Sequence, residues 1–129
     1  MNYLADTVTI VRHFSGIGRI GRSAKAVLEG VEKGENHMFF SAISLVEILY
    51  LSEKNRIAVD LENSLSKMKN SRNYTVVDLT SDIINLAAGI KYPDIFDRLI
   101  LATAQYLNVP FITSDNDIKK TGLVKIIWS

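Results

Sequence analysis

The sequence predicts a three-layer α/β domain built on a mostly parallel sheet. Three observations carry that reading. Short apolar or β-branched runs alternate with helical patterns along the whole chain, the signature of strands joined by helical crossovers. The segment PDIFDRLILATAQYLNVPFITSDND, residues 93–117, reads as a long apolar helix followed by a brief strand. Acids stand at the first turn of that helix and just past the strand, two places that share one edge of a parallel sheet.

Tyr3-Leu4-Ala5 reads as a buried strand ending at Asp6, and Val8 to Phe14 as a helical turn. SGIGRIGR, residues 15–22, has three glycines and no clean period, which suggests a mobile loop. It lacks the Lys-Ser/Thr ending of a phosphate-binding loop. Ser23 to Lys33 is the next helix, with Ala26, Val27, Gly30 and Val31 expected on one side and Gly34 as terminator. His37-Met38-Phe39-Phe40 is a second strand. In the helix that follows, Ser44 and Glu47 have the spacing of a capping box.

Asn55 to Arg72 reads as an amphipathic helix, with Ile57, Leu61, Leu65 and Met68 at three- and four-residue steps. Tyr74 to Leu79 is a strand, and Thr80-Ser81-Asp82 opens a helix over IINLAAGIK. Tyr92-Pro93 ends it, because a residue before proline avoids helical angles. Asp94 then caps a helix to about Leu107, expected to be deeply buried from Ile95 onward. Phe111 to Thr113 is a strand, Asn116 to Lys120 a helical turn, and Val124 to Trp128 a last strand.

At 129 residues the chain is one domain with room for a real core. It has no cysteine, which excludes disulfides and thiolate metal sites. No apolar run reaches the roughly 18 residues of a membrane span, and the N-terminal residues lack a basic signal-peptide region. A cytoplasmic location and no membrane partner are therefore expected. Fifteen Lys and Arg balance fourteen Asp and Glu to a net charge of +1, so global charge does not decide for or against a nucleic acid.

Each acid has a modest explanation taken alone. Asp6, Asp94 and Asp115 fit helix caps, Glu47 and Asp97 fit third positions of a first turn, and Asp117 fits solvated surface. The set is harder to dismiss. In a parallel sheet Asp6, Glu47, Asp97 and Asp115 converge on one edge. Two carboxylates ~5 Å apart repel by about 3 kcal/mol at an effective dielectric of 20, so several together call for a cation. Oxygen-only donors suit Mg²⁺ or Mn²⁺ rather than Zn²⁺.

The order YLADT, SLVEI, FDRLILATA, FITSD resembles the PIN domain, a metal-dependent ribonuclease fold, across nearly the whole chain. It is most similar to the single-domain VapC-like toxins of type II toxin–antitoxin pairs. The resemblance implies a central parallel sheet of about five strands, Mg²⁺ or Mn²⁺ as cofactor, an RNA substrate, a cognate antitoxin and a homodimer. It assigns the metal-holding, catalytic acids to Asp6, Glu47, Asp97 and Asp115, with Asp94, Asp117 and Thr7 as accessories. Family members commonly carry Asn or Ser two places after the first acid, where this chain has Val8.

Arg12, Arg19, Arg22 and Lys25 follow Asp6 closely and are candidates for an RNA-phosphate path, or simply a solvated face. His13 and His37 are expected to be surface or strand residues rather than ligands. Tyr92 and Phe96 are candidates for stacking on a base. Arg98 is a candidate partner for a neighbouring acid, and Lys119 and Lys120 are undecided. The expected function is a metal-dependent endoribonuclease, the toxin of a type II pair. The alternatives are a weak or inactive interaction module using helices 44–71, favoured by Val8, and an RNA-processing or DNA-directed nuclease of the same fold.

Overall fold

The computed structural model describes residues 1–57 and 61–129. Its elements are β1 (Asn2–Ala5), α1 (Thr7–Ser15), α2 (Arg22–Glu32), β2 (His37–Ser41), α3 (Ala42–Glu53), α4 (Leu61–Lys69), β3 (Tyr74–Val77), α5 (Ser81–Ala88), α6 (Ile95–Leu107), β4 (Phe111–Ile112), α7 (Asn116–Lys120) and β5 (Ile126–Ile127). The five strands form one sheet in the order β3-β2-β1-β4-β5, and every pairing is parallel. The expected three-layer architecture is present.

Side chains alternate across a strand, so each strand feeds two cores. Tyr3, Ala5, Met38, Phe40 and Ile112 point to one face, where they meet Ile10, Leu28 and Val31. Leu4 and Phe111 point to the other, against Ile83, Ile100, Leu101 and Ala104. With helices on both faces, the central strands must be apolar throughout, which is why their runs show no polar alternation.

Several boundaries differ from the sequence expectation. β1 ends at Ala5, and Asp6 caps a full helix α1 rather than closing a strand. Ala26 is exposed, and the buried side of α2 is Ala24, Leu28, Gly30 and Val31. The capping box at Ser44 does not form. Ser41 is the N-cap of α3, accepting from the Ile43 amide, so Ser44 and Glu47 lie inside the helix. The helix expected from Asn55 does not include residues 55–57 and is described from Leu61. Asn55 itself has φ 53°, outside helical geometry, and residues 58–60 lie outside the described residues. In α6 burial runs from Leu99 to Ala104, while Ile95 is exposed. Thr113 lies beyond the β4 ladder, and only Ile126 and Ile127 pair in the last strand.

The β5 end is tied to the start of α2. The Trp128 carbonyl accepts from the Ala24 amide at 3.0 Å, and Ser23 Oγ donates to the Ser129 carbonyl at 2.7 Å. Gly21 allows this approach: a Cβ there would stand 2.2 Å from the Trp128 carbonyl oxygen and 2.9 Å from the indole Cδ1. Backbone cannot yield as a flexible side chain can. Gly21→Ala is expected to destabilise the fold by about 2 kcal/mol, the cost of overpacking a tight contact, measured by urea unfolding. An unchanged midpoint would contradict this.

Candidate active site

The sheet order reverses at β1, which has β2 on one side and β4 on the other. The crevice beyond the strand C-termini at such a reversal is where open α/β sheets bind ligands. Asp6 follows β1 directly. Its Oδ1 accepts from the Thr9 amide at 2.9 Å, capping α1, and its Oδ2 accepts from the Thr113 hydroxyl at 2.6 Å. Thr113 follows β4 and is fully buried. Its hydroxyl oxygen also accepts from the Asp115 amide at 3.1 Å, so one side chain aligns two acids.

Asp115 caps α7. Oδ1 accepts from the amides of Asp117 and Ile118, and Oδ2 accepts from the Tyr92 hydroxyl at 3.0 Å. Glu47 is presented from the second turn of α3. Its Oε1 accepts from the Thr7 hydroxyl at 2.6 Å, and Ser44 Oγ lies 3.0 Å from that same hydroxyl. Asp94 caps α6 through the Phe96 and Asp97 amides. The Asp97 carboxylate makes no hydrogen bond among the described residues.

Electrostatics tie the acids into one group. Burial raises the Asp97 carboxyl to about 6, and the charges of Asp94, Glu47, Asp115 and Asp6 add to that shift. Glu47 is raised by burial first, against the Thr7 hydrogen bond, and then by Asp94 and Asp6. Asp6 is raised by burial, while the Thr113 and Thr9 hydrogen bonds pull it back and Asp115 pushes it up. Tyr92 is raised, by burial and then by its bond to Asp115, so it remains a neutral donor.

The chemistry of this group fits a hard divalent cation. Its donors are all oxygens, and no Lys or Arg among the described residues forms an ion pair with Asp6, Glu47, Asp94, Asp97 or Asp115. The carboxylates do not already converge on one point: among the described residues, no three His, Asp or Glu side chains are set to hold an ion as they stand.

Other candidates fall elsewhere. Arg12 Nη1 donates to the Arg19 carbonyl at 2.8 Å and braces the 16–21 loop. Arg12 and Lys25 line a cleft of about 310 Å³ with His13, Glu29 and Glu32. That cleft lies along α1 toward its C-terminal end, away from Asp6. Arg22 begins α2 beside the β5 end. Arg19 is exposed. Asp117 is exposed, 3.9 Å from Lys120. Arg98 forms no ion pair among the described residues, contrary to expectation. Its Nη1 reaches the Ile90 carbonyl at 3.5 Å, and its buried Nε has no partner. His13 binds Glu32 and Tyr74, and His37 binds Thr75. Phe96 is exposed beside Val46 and Tyr50, lining an apolar groove of about 450 Å³ that Glu47 also borders.

Sequence reasoning gives no role to Thr113 or the Tyr92 hydroxyl, and reads Ser44 only as a helix cap. A hydroxyl two residues before Asp115 is the available signal for Thr113; the other two depend on contacts distant in sequence.

A PIN domain family model matches residues 3–123, so the chain belongs to the PIN domain family. Among solved structures it is similar to VapBC2 from Rickettsia felis, bound to a DNA fragment from their promoter, at 20% identity over 100% of both chains with a TM-score of 0.70. It is similar to FitAcB from Neisseria gonorrhoeae, at 19% identity over 96% of this chain and 95% of that one, TM-score 0.66. It is also similar to VapC20 from Mycobacterium tuberculosis, a Sarcin-Ricin loop cleaving toxin, at 14% identity over 97% and 98%, TM-score 0.67. No curated protein matches the sequence.

The raised Asp97 carboxyl makes a stability prediction. Its folded value, about 6, lies above the ordinary 3.8. Between those values the folded chain binds more protons, so stability falls as pH rises from about 4 to about 6. Asp97→Asn removes that penalty. After discounting for solvent screening, the metal-free variant is expected to gain roughly 1 kcal/mol at pH 7 and nothing near pH 4, read by urea unfolding at both. Equal gains at the two pH values would contradict the charge origin.

Proposed function

We propose that this protein is a metal-dependent endoribonuclease, the toxin of a type II toxin–antitoxin pair. The observation that carries the reading is the group of carboxylates at the sheet reversal, each raising its neighbours and none paired with a protein cation. Asp6, Glu47, Asp97 and Asp115 would hold Mg²⁺ or Mn²⁺, some through water, with Asp94 beside them. Bound there, the ion would activate water and neutralise charge developing on the scissile phosphoryl group.

The chain's own residues prepare that site. Thr113 aims Asp6, Thr7 aims Glu47, and Tyr92 turns one oxygen of Asp115. These hydroxyls fix carboxylates that would otherwise swing apart under mutual repulsion. Oriented outer partners of this kind are worth about 10–100-fold in metal affinity or activity. Asp97, without such a partner, is the acid most free to adjust to an incoming ion.

Asp6→Asn or Asp97→Asn is expected to lower cleavage of single-stranded RNA by at least about 100-fold while far-UV circular dichroism is unchanged. Mg²⁺ or Mn²⁺ is expected to raise the Tm of the native chain and to raise that of Asp97→Asn much less. Cleavage by both variants at the native rate would remove the mechanism.

The antitoxin reading has its own support. Solved relatives of this fold are toxin–antitoxin complexes, and this chain exposes Val46, Tyr50 and Phe96 along the groove that Glu47 borders. Val8 is exposed as well, on the first turn of α1. A protein partner seated there would cover apolar surface and shield the acids together. Tyr50→Asp is expected to release a co-expressed antitoxin, encoded beside this gene, in pull-down; retention of a full complex would argue against the groove. Ile84 and Leu86 on α5 remain exposed and are the candidates for a homodimer contact, readable by sedimentation.

A further inference from the structure

On the β5 side of the acids lies a second, smaller pocket of about 160 Å³. Its walls include Asp115, Ser114, Asn116, Lys119 and Trp128. Ile112 pairs with Ile127 in register, so Trp128 stands beside Thr113, one strand over. Adjacent strands are about 4.8 Å apart, and Thr113 is the residue that holds Asp6. The pocket is therefore a direct neighbour of the acidic crevice, with Asp115 common to both.

Its donors are uncommitted. Among the described residues, the Trp128 indole N–H, the Lys119 ammonium, the Ser114 hydroxyl and the Asn116 amide side chain make no hydrogen bond or ion pair. Asp115, the one acidic side chain in the wall, is already satisfied by two amides and Tyr92, and the Ser129 backbone oxygen, from the same wall, accepts from Ser23. A volume of this size admits a single aromatic ring. The indole is seated in advance: it packs on the first core cluster, and its Cδ1 lies against Gly21. A platform ordered before the ligand arrives loses little entropy on binding.

We propose that this pocket is a nucleotide subsite of the RNA-binding track, in which Trp128 stacks on one base flanking the scissile bond and Lys119 meets an adjoining phosphate. Ser114 and Asn116 supply donors to ring or carbonyl acceptors of that base. A ligand combining a flat ring, several acceptors and a negative charge fits this wall, as the nucleotides of single-stranded RNA do. The subsite rests on the ribonuclease reading and adds to it where the substrate lies relative to the acids.

Trp128 is the sole tryptophan of the chain, so its fluorescence reads the pocket directly. The experiment uses the full chain carrying Asp97→Asn, to suppress cleavage, titrated with four homopolymeric ribohexamers. At least one is expected to quench the fluorescence saturably. In the same background Lys119→Ala is expected to weaken binding roughly tenfold and to lower the slope of log affinity against log salt by about 0.7, the share of one phosphate on a single strand. Lys119→Arg restores both. Trp128→Phe, followed by anisotropy of a labelled hexamer, keeps a ring and is expected to lose less affinity than Trp128→Leu, with circular dichroism checking that each folds. Absent quenching, or a Lys119→Ala variant that binds like its parent while the native chain cleaves RNA, overturns the subsite and leaves the ribonuclease standing. A native chain that neither binds nor cleaves RNA overturns both.

Discussion

The Asp6 carboxylate is the joint on which the acidic edge turns. One oxygen caps α1 and the other receives the Thr113 hydroxyl, so a single side chain links the end of β1, the start of α1 and the exit of β4. Backbone pairing reinforces the link, because the Asp6 amide donates to the Ile112 carbonyl. A buried carboxylate is costly unless it is hydrogen-bonded, and these donors keep Asp6 in place despite burial and nearby negative charge. The positions of Thr7 and Thr113, and through them of Glu47 and Asp115, follow from this joint.

Structural and chemical roles are not rivals at this edge. Asp6, Asp94 and Asp115 are all helix caps, as their local sequence allows. Capping uses some of the acceptor capacity of each carboxylate and aims the rest into the crevice. A capping explanation therefore holds for each of these three acids and leaves acceptor capacity over. Glu47 differs: the cap of α3 is Ser41, so capping does not account for it, and its contact is Thr7, forty residues away.

The layered fold is legible because it is written in local pattern. The alternation of apolar runs with helical periods and the Asp94 cap depend on near neighbours in the chain; the stop expected at Tyr92-Pro93 comes earlier, because α5 ends at Ala88 with Gly89 as its C-cap. The pairing of acids at one edge is legible through topology alone, since strand ends and following helix starts share an edge in any parallel sheet. What stays hidden depends on pairings across the chain. Ser44 resembles a cap because its spacing to Glu47 is right, yet Ser41 begins the helix at the strand end and wins the amide. Arg12 resembles a phosphate ligand because it follows Asp6, yet a helix carries it away from that edge and the 16–21 loop claims its guanidinium. Thr113 and Trp128 matter through neighbours more than a hundred residues distant, which no local window contains.

The placement of β1 between β2 and β4 also bears on how the chain is made. Acids drawn from residue 6 and residue 115 can meet only after β4 has paired with β1, a contact spanning more than a hundred residues. Such long-range parallel pairing is slow and comes late in folding. While it is being synthesised from its N-terminus, a nascent chain thus carries Asp6 and Glu47 without the residues that complete their edge. A ribosome making this protein holds an unfinished acidic edge until the last quarter of the chain has emerged, an interval in which the earlier helices are already open to contact.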